Sequence, residues 1–313
     1  MGLQLLLLAQ GGQLGTLCGL MQTSYLGDKP VGRIGLGAMQ LAGPGVMGPP
    51  RDPDAAQAVL RRAIELGVDH IDTSQYYGPD TVNDLIRETL HPYPENLKLV
   101  TKVGVRRDQA GAWLPALSPA ELREGVEANL RSLGVERMDL VNLRVANDTG
   151  GPDVPLPEQL GALEELRQAG KLDLIGVSNV TLEGVGVALD VVDLAEVQNA
   201  YSILNREGDP IVELCRERQI AFVPFFPLGS AFGGGPKTLA EDSAIAEVAG
   251  KHGATPSQVA LAWLLARYDR MLLIPGTTSV GHLEENLAAA DVELTEGDLV
   301  TLQAVGDVGR PRP

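Results

Sequence analysis

The chain has 313 residues, 44% of them hydrophobic, which is enough for one α/β barrel of about 250 residues or for two smaller domains. Its 41 acidic residues outnumber the 25 Lys and Arg residues, and the net charge of −16 argues against a nucleic-acid partner, which needs clustered positive charge. Two cysteines exclude a disulfide framework, and no Cys/His spacing indicates a metal site, so we expect a cytoplasmic protein without a metal.

The first 20 residues contain an apolar run at positions 5–9 but no Lys or Arg. A secretory signal needs a positively charged start, and the run is too short to cross a membrane. We therefore expect residues 1–20 to be a disordered extension or an over-called start. The folded domain is expected to occupy residues 21–313, without membrane association.

Short β-branched runs alternate with amphipathic stretches along the rest of the chain. This periodicity predicts helices over residues 54–66, 80–90, 118–133, 157–169, 182–189, 211–218, 242–251 and 256–266. It predicts strands over residues 34–36, 68–72, 97–102, 139–143, 174–177, 195–198, 220–224 and 271–274. Ser118 and Glu121 form a capping-box pattern at the start of the third helix, and Gly134 ends that helix.

Repeated βα units imply parallel strands joined by right-handed crossovers, and eight of them close a TIM barrel, an α/β fold of one domain. A doubly wound sheet would need a third glycine after the Gly-Leu-Gly of residues 35–37, which the chain lacks. Chemistry in a barrel occurs at the C-terminal ends of the strands. The polar residues predicted there are Asp72, Tyr77, Lys102, Arg144, Ser178, Asn179 and Gln198.

A phenol, an ammonium group and a carboxylate among these residues could together move a proton at neutral pH. A free phenol has a pKa near 10, and a neighbouring cation lowers that value. We expect Lys102 to lower the pKa of Tyr77, and Asp72 to keep Lys102 charged and oriented. Such a phenol could act as a general acid.

Several short motifs follow one another along residues 21–307, and together they resemble the aldo-keto reductase family. They are Gly35-Leu36-Gly37-Ala38-Met39, Asp72-Thr73 with Tyr77-Gly78, Lys102, Gly176-Val177-Ser178-Asn179, Gln198-Asn199, Pro227-Leu228-Gly229, and Ile274-Pro275-Gly276-Thr277 followed by Glu284-Glu285-Asn286. The resemblance implies an oxidoreductase that reduces an aldehyde or ketone to an alcohol with NADPH. Its catalytic residues would be Tyr77, Lys102 and Asp72. The alternatives are a nucleotide-sensing regulatory protein with little turnover, or a barrel isomerase that binds no nicotinamide.

Arg144 departs from the family pattern, because aldo-keto reductases commonly have histidine at this strand end. The Arg pattern resembles bacterial reductases that act on pyridoxal or on ketones of secondary metabolism. Arg144 could polarise the carbonyl, lower the pKa of Tyr77 or hold an acidic group of the substrate. The alternative is a pair with Asp148 that leaves the substrate untouched. Asn142 shares the face of Arg144 and is expected to point into the barrel behind the site.

The resemblance also implies a cofactor site, in which amide and hydroxyl side chains hold the nicotinamide carboxamide and Phe225 or Phe226 stacks on the ring. The resemblance favours NADPH, with NADH as the alternative. Discrimination against NADH is expected to be weaker than in relatives with Lys or Arg in this segment, because residues 275–286 contain no basic side chain except His282. The expected cofactor residues are Gly37, Ala38, Met39, Asp72, Ser178, Asn179, Gln198, Phe225, Leu228, Gly229, Ser230, Gly276, Thr277, His282, Glu285 and Asn286. The substrate pocket is expected at Gln40, Tyr76 and Trp113, and Trp113 is expected in a loop over residues 109–119. The protein is expected to be a monomer that acts on a small carbonyl compound.

Overall fold

The computed structural model describes residues 23–145, 154–229 and 235–305, so residues 1–20, Asp148 and Ser230 lie outside the described part of the chain. The strands are β1 (Thr23–Leu26), β2 (Lys29–Gly32), β3 (Leu36–Gly37), β4 (His70–Asp72), β5 (Lys98–Val103), β6 (Val105–Arg107), β7 (Trp113–Pro115), β8 (Met138–Arg144), β9 (Leu172–Ser178), β10 (Leu194–Ala200) and β11 (Ala221–Phe225). The helices are α1 (Pro53–Glu65), α2 (Thr81–Leu90), α3 (Pro119–Leu133), α4 (Leu156–Gln168), α5 (Leu182–Leu189), α6 (Asp209–Arg218), α7 (Gly235–Glu241), α8 (Ser243–His252), α9 (Pro256–Arg267), α10 (Val280–Leu287) and α11 (Glu296–Gln303).

Seven strands form one parallel sheet in the order β11-β10-β9-β8-β5-β4-β3. The segment predicted as the last strand closes this sheet through two isolated parallel bridges, Met271 to Phe222 on one side and Leu273 to Ile34 on the other. Backbone hydrogen bonds reinforce the closure, since Leu273 N donates to Arg33 O at 2.8 Å. The predicted (β/α)8 barrel is therefore confirmed, with its eighth strand reduced to bridges.

The helix boundaries follow the local signals that the sequence carries. Ser118 and Glu121 cap α3 reciprocally, as the sequence pattern predicts. Gly134 ends the helix at φ 69°, in the left-handed region that a side chain disfavours. The apolar faces of the helices pack on the outside of the sheet and form the main hydrophobic core.

Two hairpins were not predicted from the periodicity. β1 and β2 pair antiparallel, and their Leu26 and Val31 fill the lower barrel interior together with residues such as Val100 and Leu140. β6 and β7 form a second hairpin, so Trp113 lies in a short strand and not in a plain loop. Four-residue or shorter strands give too little alternation to be detected. No helix within the described residues is long and apolar enough to span a membrane.

Candidate active site

The turn between β4 and α2 holds Tyr77 beside the C-terminal end of the barrel. Tyr77 N donates to Ser74 O at 3.0 Å, and the next residue, Gly78, has φ 77°. A Cβ atom at position 78 would lie 2.8 Å from Gly48 O, so the close approach of two backbones requires glycine there. The phenol is thereby placed by the backbone, and its residue is only 6% exposed.

A chain of buried polar side chains supports this turn from behind. Thr73 Oγ1 donates to Asn83 Oδ1 at 2.7 Å, and Asn83 Nδ2 donates to Asn129 Oδ1 at 3.0 Å. Thr101 Oγ1 donates to the same Asn129 oxygen at 2.6 Å. Buried hydrogen bonds of this kind hold the side chains in a single arrangement, because each broken bond would leave a buried polar group unpaired.

Asp72 and Lys102 form a buried ion pair at the ends of β4 and β5. Lys102 Nζ donates to Asp72 Oδ1 and, at 3.2 Å, to Thr73 O. Both charged residues are 3% exposed, and Lys102 Nζ lies 5.2 Å from the centroid of the Tyr77 ring. The carboxylate, ammonium and phenol singled out in the sequence are therefore brought together.

The expected lowering of the Tyr77 pKa by Lys102 is not what the structure gives. Burial raises the pKa of Tyr77, because the phenolate would lose its hydration, and the negative charge of Asp72 raises it further. Lys102 is paired directly with Asp72, so its charge is compensated at the site. The cation that lowers the pKa of Tyr77 is Arg144.

Arg144 ends β8 and is half-buried at the mouth of the barrel. Its guanidinium donates to Ser178 Oγ at 3.4 Å, and its Cζ atom lies 5.4 Å from the centroid of the Phe225 ring. No carboxylate of the described residues is within ion-pair distance of it. The alternative partner Asp148 lies outside the described residues. Arg144 therefore combines a permanent positive charge with several N–H donors next to Tyr77.

The side-chain amide of Gln198, at the end of β10, is oriented by two carboxyl groups. Its Nε2 atom donates to Asp72 Oδ2 at 3.0 Å and to Glu196 Oε1 at 3.1 Å. The reverse orientation of the Gln198 amide is excluded, because it would place the amide oxygen next to the oxygens of both carboxyl groups. Gln198 Oε1 is buried and has no hydrogen-bond partner among the described residues. A buried oxygen in this state fits an N–H group of a bound molecule.

Glu196 is a residue of this site that the sequence reasoning missed. It is 2% exposed, and its Oε1 atom also accepts a hydrogen bond of 2.9 Å from Asn142 Nδ2 in the barrel interior. Burial, and then the charge of Asp72, raises the pKa of Glu196 to about 7. A signal was present, because a spacing of two on a strand puts Glu196 on the same face as Gln198.

Glycines bring the first and last strands of the barrel into contact near the expected cofactor segments. A Cβ atom on Gly37 would lie 2.5 Å from Ile274 O, and one on Gly276 would lie 2.8 Å from Gly37 O. Ala38, Met39 and Gln40 continue from this contact as a 3₁₀ turn, in which Gln40 is exposed. The expected residues around strands one and eight therefore lie together.

The segment after strand eight leads into the N-terminus of α10. Ser279 caps this helix by accepting from His282 N, and Thr277 Oγ1 accepts from Ser279 N at 3.0 Å. The first turn of α10 contains no acidic residue, which suits an anion at the helix N-terminus. Asn286 is buried in α10, and Glu285 Oε1 accepts a hydrogen bond of 2.6 Å from Thr255 Oγ1; their expected contact with the cofactor stays a prediction.

The remaining expected cofactor residues lie at the ends of β9 and β11. Ser178 is buried beside Arg144. Asn179 Nδ2 donates to Val145 O at 3.1 Å, and the backbone N of Asn179 donates to Gln198 O at 3.0 Å. Phe225 stands under the guanidinium of Arg144 and meets Phe226 edge to face at 5.2 Å. Leu228 and Gly229 follow in the half-buried loop, with Gly229 at φ 87°.

An aromatic row extends from Tyr77 to the surface. The Tyr76 ring lies edge to face with Tyr77 at 5.3 Å and with Trp113 at 5.6 Å. Trp113 is 46% exposed, and the guanidinium of Arg107 lies 4.0 Å above its ring. Arg107 also donates to Val46 O at 2.9 Å and so ties the β6–β7 hairpin to the loop after β3. This row forms an apolar wall beside the phenol.

Comparisons with known proteins show which family and which solved structures this chain is similar to. The model of the aldo/keto reductase family matches residues 33–307. Pyridoxine 4-dehydrogenase of Escherichia coli strain K12 is 50% identical over 285 residues, covering 90% of this chain and 98% of the relative. An oxidoreductase of Schizosaccharomyces pombe is 35% identical, with 91% of this chain and 90% of the relative covered. An aldo-keto reductase of Klebsiella pneumoniae, solved with NADPH, superposes with a TM-score of 0.76 at 25% identity and covers 92% of this chain and 96% of its own.

Proposed function

The chain belongs to the aldo/keto reductase family and is an oxidoreductase that uses a nicotinamide cofactor, and from this premise we propose that it reduces an aromatic aldehyde to an alcohol with NADPH. The observation that carries the proposal is the cluster of Tyr77, Lys102, Asp72 and Arg144 at the C-terminal end of one barrel. A proton donor stands there beside a permanent cation, as reduction of a carbonyl requires.

The residues present fit a nicotinamide nucleotide. Gln198 offers a buried carbonyl oxygen that lacks a donor, and it would accept an N–H of the carboxamide. Ser178 and Phe225 would hold and cover the ring, while Thr277 and the N-terminus of α10 would receive phosphate. Bound NADPH supplies the hydride that reduces the carbonyl carbon.

Tyr77 is proposed to donate its proton to the carbonyl oxygen as that oxygen gains negative charge. Burial keeps the phenol protonated, and an alkoxide is a stronger base than a phenolate, so the transfer is downhill. Arg144 assists in two ways: its charge lowers the pKa of Tyr77, and its N–H groups stabilise the developing oxyanion. The ion pair of Asp72 and Lys102 provides a polar, ordered environment behind the phenol of Tyr77.

Pyridoxal is the leading candidate substrate. The relative of 50% identity is named for dehydrogenation of pyridoxine at position 4, and the reverse of that reaction reduces the 4-aldehyde of pyridoxal. Pyridoxal carries an acidic hydroxyl next to its aldehyde, and the ionised oxygen would match the fixed positive charge of Arg144. Its flat ring would pack on the wall made by Tyr76 and Trp113.

NADPH is proposed over NADH, with moderate discrimination. The 2′-phosphate would meet hydroxyl and backbone N–H groups near Thr277, with His282 as the one basic side chain of residues 275–286. Neutral donors give a smaller charge-dependent preference than Lys or Arg would. A dissociation constant for NADH below the constant for NADPH would contradict this assignment.

The test measures oxidation of NADPH at 340 nm with pyridoxal, 4-nitrobenzaldehyde and an aliphatic aldehyde. Tyr77→Phe should lower kcat by about 10²–10⁴-fold and leave NADPH binding, followed by tryptophan fluorescence, unchanged. Tyr25→Phe is the matched control, because Tyr25 is exposed on the hairpin at the opposite end of the barrel. Wild-type protein that binds NADPH but reduces none of these aldehydes would contradict the proposed reaction.

A further inference from the structure

A buried carboxyl group stands in the barrel interior next to the proposed proton-transfer residues but takes no part in that chemistry. Glu196 Oε1 accepts hydrogen bonds from Asn142 Nδ2 at 2.9 Å and from Gln198 Nε2 at 3.1 Å. A carboxyl group that is 2% exposed costs free energy to bury, and an apolar residue would fill the same space at lower cost. Its position therefore calls for a functional explanation.

The backbone is arranged to let Glu196 and Asn142 meet. Their strands, β10 and β8, are separated by β9, which places Gly176 between them. A Cβ atom at position 176 would lie 2.1 Å from Asn142 Oδ1 and 3.1 Å from Glu196 Cβ. The missing side chain of Gly176 opens the path across β9, so that Asn142 fixes the carboxyl group from the side.

We propose that Glu196 is a positioning residue that, with Asp72, holds the amide of Gln198 so that only its oxygen faces the cofactor, and thereby selects a nicotinamide carboxamide over the corresponding carboxylate. The proposal rests on the proposed nicotinamide site. Asp72 takes one N–H of Gln198 and Glu196 takes the other. Without Glu196, the amide could rotate and present either its oxygen or its N–H₂ group.

The charges that face Glu196 give a second consequence. Asp72 on β4 is negative and Lys102 on β5 is positive, while its direct partners on β8 and β10 are neutral amides. Because the pKa of Glu196 lies at about 7, the group gains its negative charge across neutral pH. That charge favours the cationic ring of the oxidised cofactor over the neutral ring of the reduced one.

The first arm of the test measures dissociation constants for NADP⁺ and for its nicotinic acid counterpart by tryptophan fluorescence. Wild-type protein should prefer NADP⁺, and Glu196→Ala should reduce the ratio of the two constants by about tenfold. Glu196→Gln should retain the ratio, because its amide oxygen still accepts from Gln198. Val197→Ala is the control, since this buried residue lies on the opposite face of the same strand.

The second arm measures the ratio of the dissociation constant of NADPH to that of NADP⁺ between pH 6 and 8.5. The titration of the 2′-phosphate is common to both nucleotides and cancels in the ratio. The ratio should rise with pH by about threefold in the wild type and stay level in Glu196→Gln. If Glu196→Ala fails to fold, the wild-type preference for NADP⁺ in the first arm still tests the positioning role, and this second arm tests the electrostatic role.

An unchanged preference in Glu196→Ala would overturn the positioning role of Glu196, and parallel pH profiles in wild type and Glu196→Gln would overturn its electrostatic role. Both outcomes leave the reductase assignment intact. Wild-type protein that binds NADP⁺ no better than its nicotinic acid counterpart would overturn the positioning role as well. Wild-type protein that binds neither NADPH nor NADP⁺ would overturn both proposals.

Discussion

Replacement of Glu196 by glutamine should stabilise the protein at neutral and alkaline pH. Burial raises the pKa of Glu196 from 4.5 to about 7, so the folded chain retains a proton that the unfolded chain has already released between these values. Stability therefore falls as the pH rises through that window. At about 1.36 kcal/mol for each pH unit, the full loss is about 3 kcal/mol.

Glutamine carries no titrating group and keeps an oxygen that accepts from Asn142 and Gln198. Between pH 5.5 and 8, the free energy of unfolding of the wild type should fall by about 2 kcal/mol relative to Glu196→Gln. Urea unfolding followed by circular dichroism at four pH values measures this difference. Glu217→Gln is the control, because Glu217 is exposed on α6. Profiles of wild type and Glu196→Gln that stay parallel within about 0.5 kcal/mol would refute the reasoning.

Three further predictions concern the barrel interior and the mouth of the site. Gly176→Ala should destabilise the protein by about 2 kcal/mol, since its Cβ atom would lie 2.1 Å from Asn142 Oδ1. Gly161→Ala in α4 meets nothing within 4 Å and should raise the melting temperature instead, so an equal effect of both changes would contradict the clash. Arg144→Ala should lower kcat/KM for pyridoxal by about 10²-fold, and unchanged turnover would show that Arg144 does not contact the oxyanion. Trp113→Ala should raise KM for pyridoxal by about tenfold, while an equal rise for an aliphatic aldehyde would speak against ring packing.

Much of the fold could be read from periodicity, because each βα unit carries its own local signals. The helix over Leu182–Leu189 is predicted to the residue, and the capping box of Ser118 sets the start of α3. The short hairpins were not predicted from the sequence, since strands such as β6 and β7 have only three residues each. Their pairing depends on contacts with the rest of the barrel, such as the bond from Arg107 to the loop after β3.

The sequence by itself determined at which end of the barrel the candidate catalytic side chains meet. Parallel strands present their carboxyl ends at one rim, so Asp72, Lys102, Arg144 and Gln198 had to meet there once eight βα units were recognised. This inference needs only the chain order and the strand ends, both of which are local properties. The family model matches residues 33–307, a range that includes all four positions.

Only the tertiary structure decided how these groups act on one another. The direction in which the pKa of Tyr77 shifts depends on burial and on the pairing of Lys102 with Asp72. The spacing of these residues in the sequence predicts neither. The orientation of the Gln198 amide depends on Glu196, which reaches it only because Gly176 leaves space on the strand between. Electrostatic and hydrogen-bond energies vary with distance and solvent access, and these are fixed only when strands far apart in the chain are packed together.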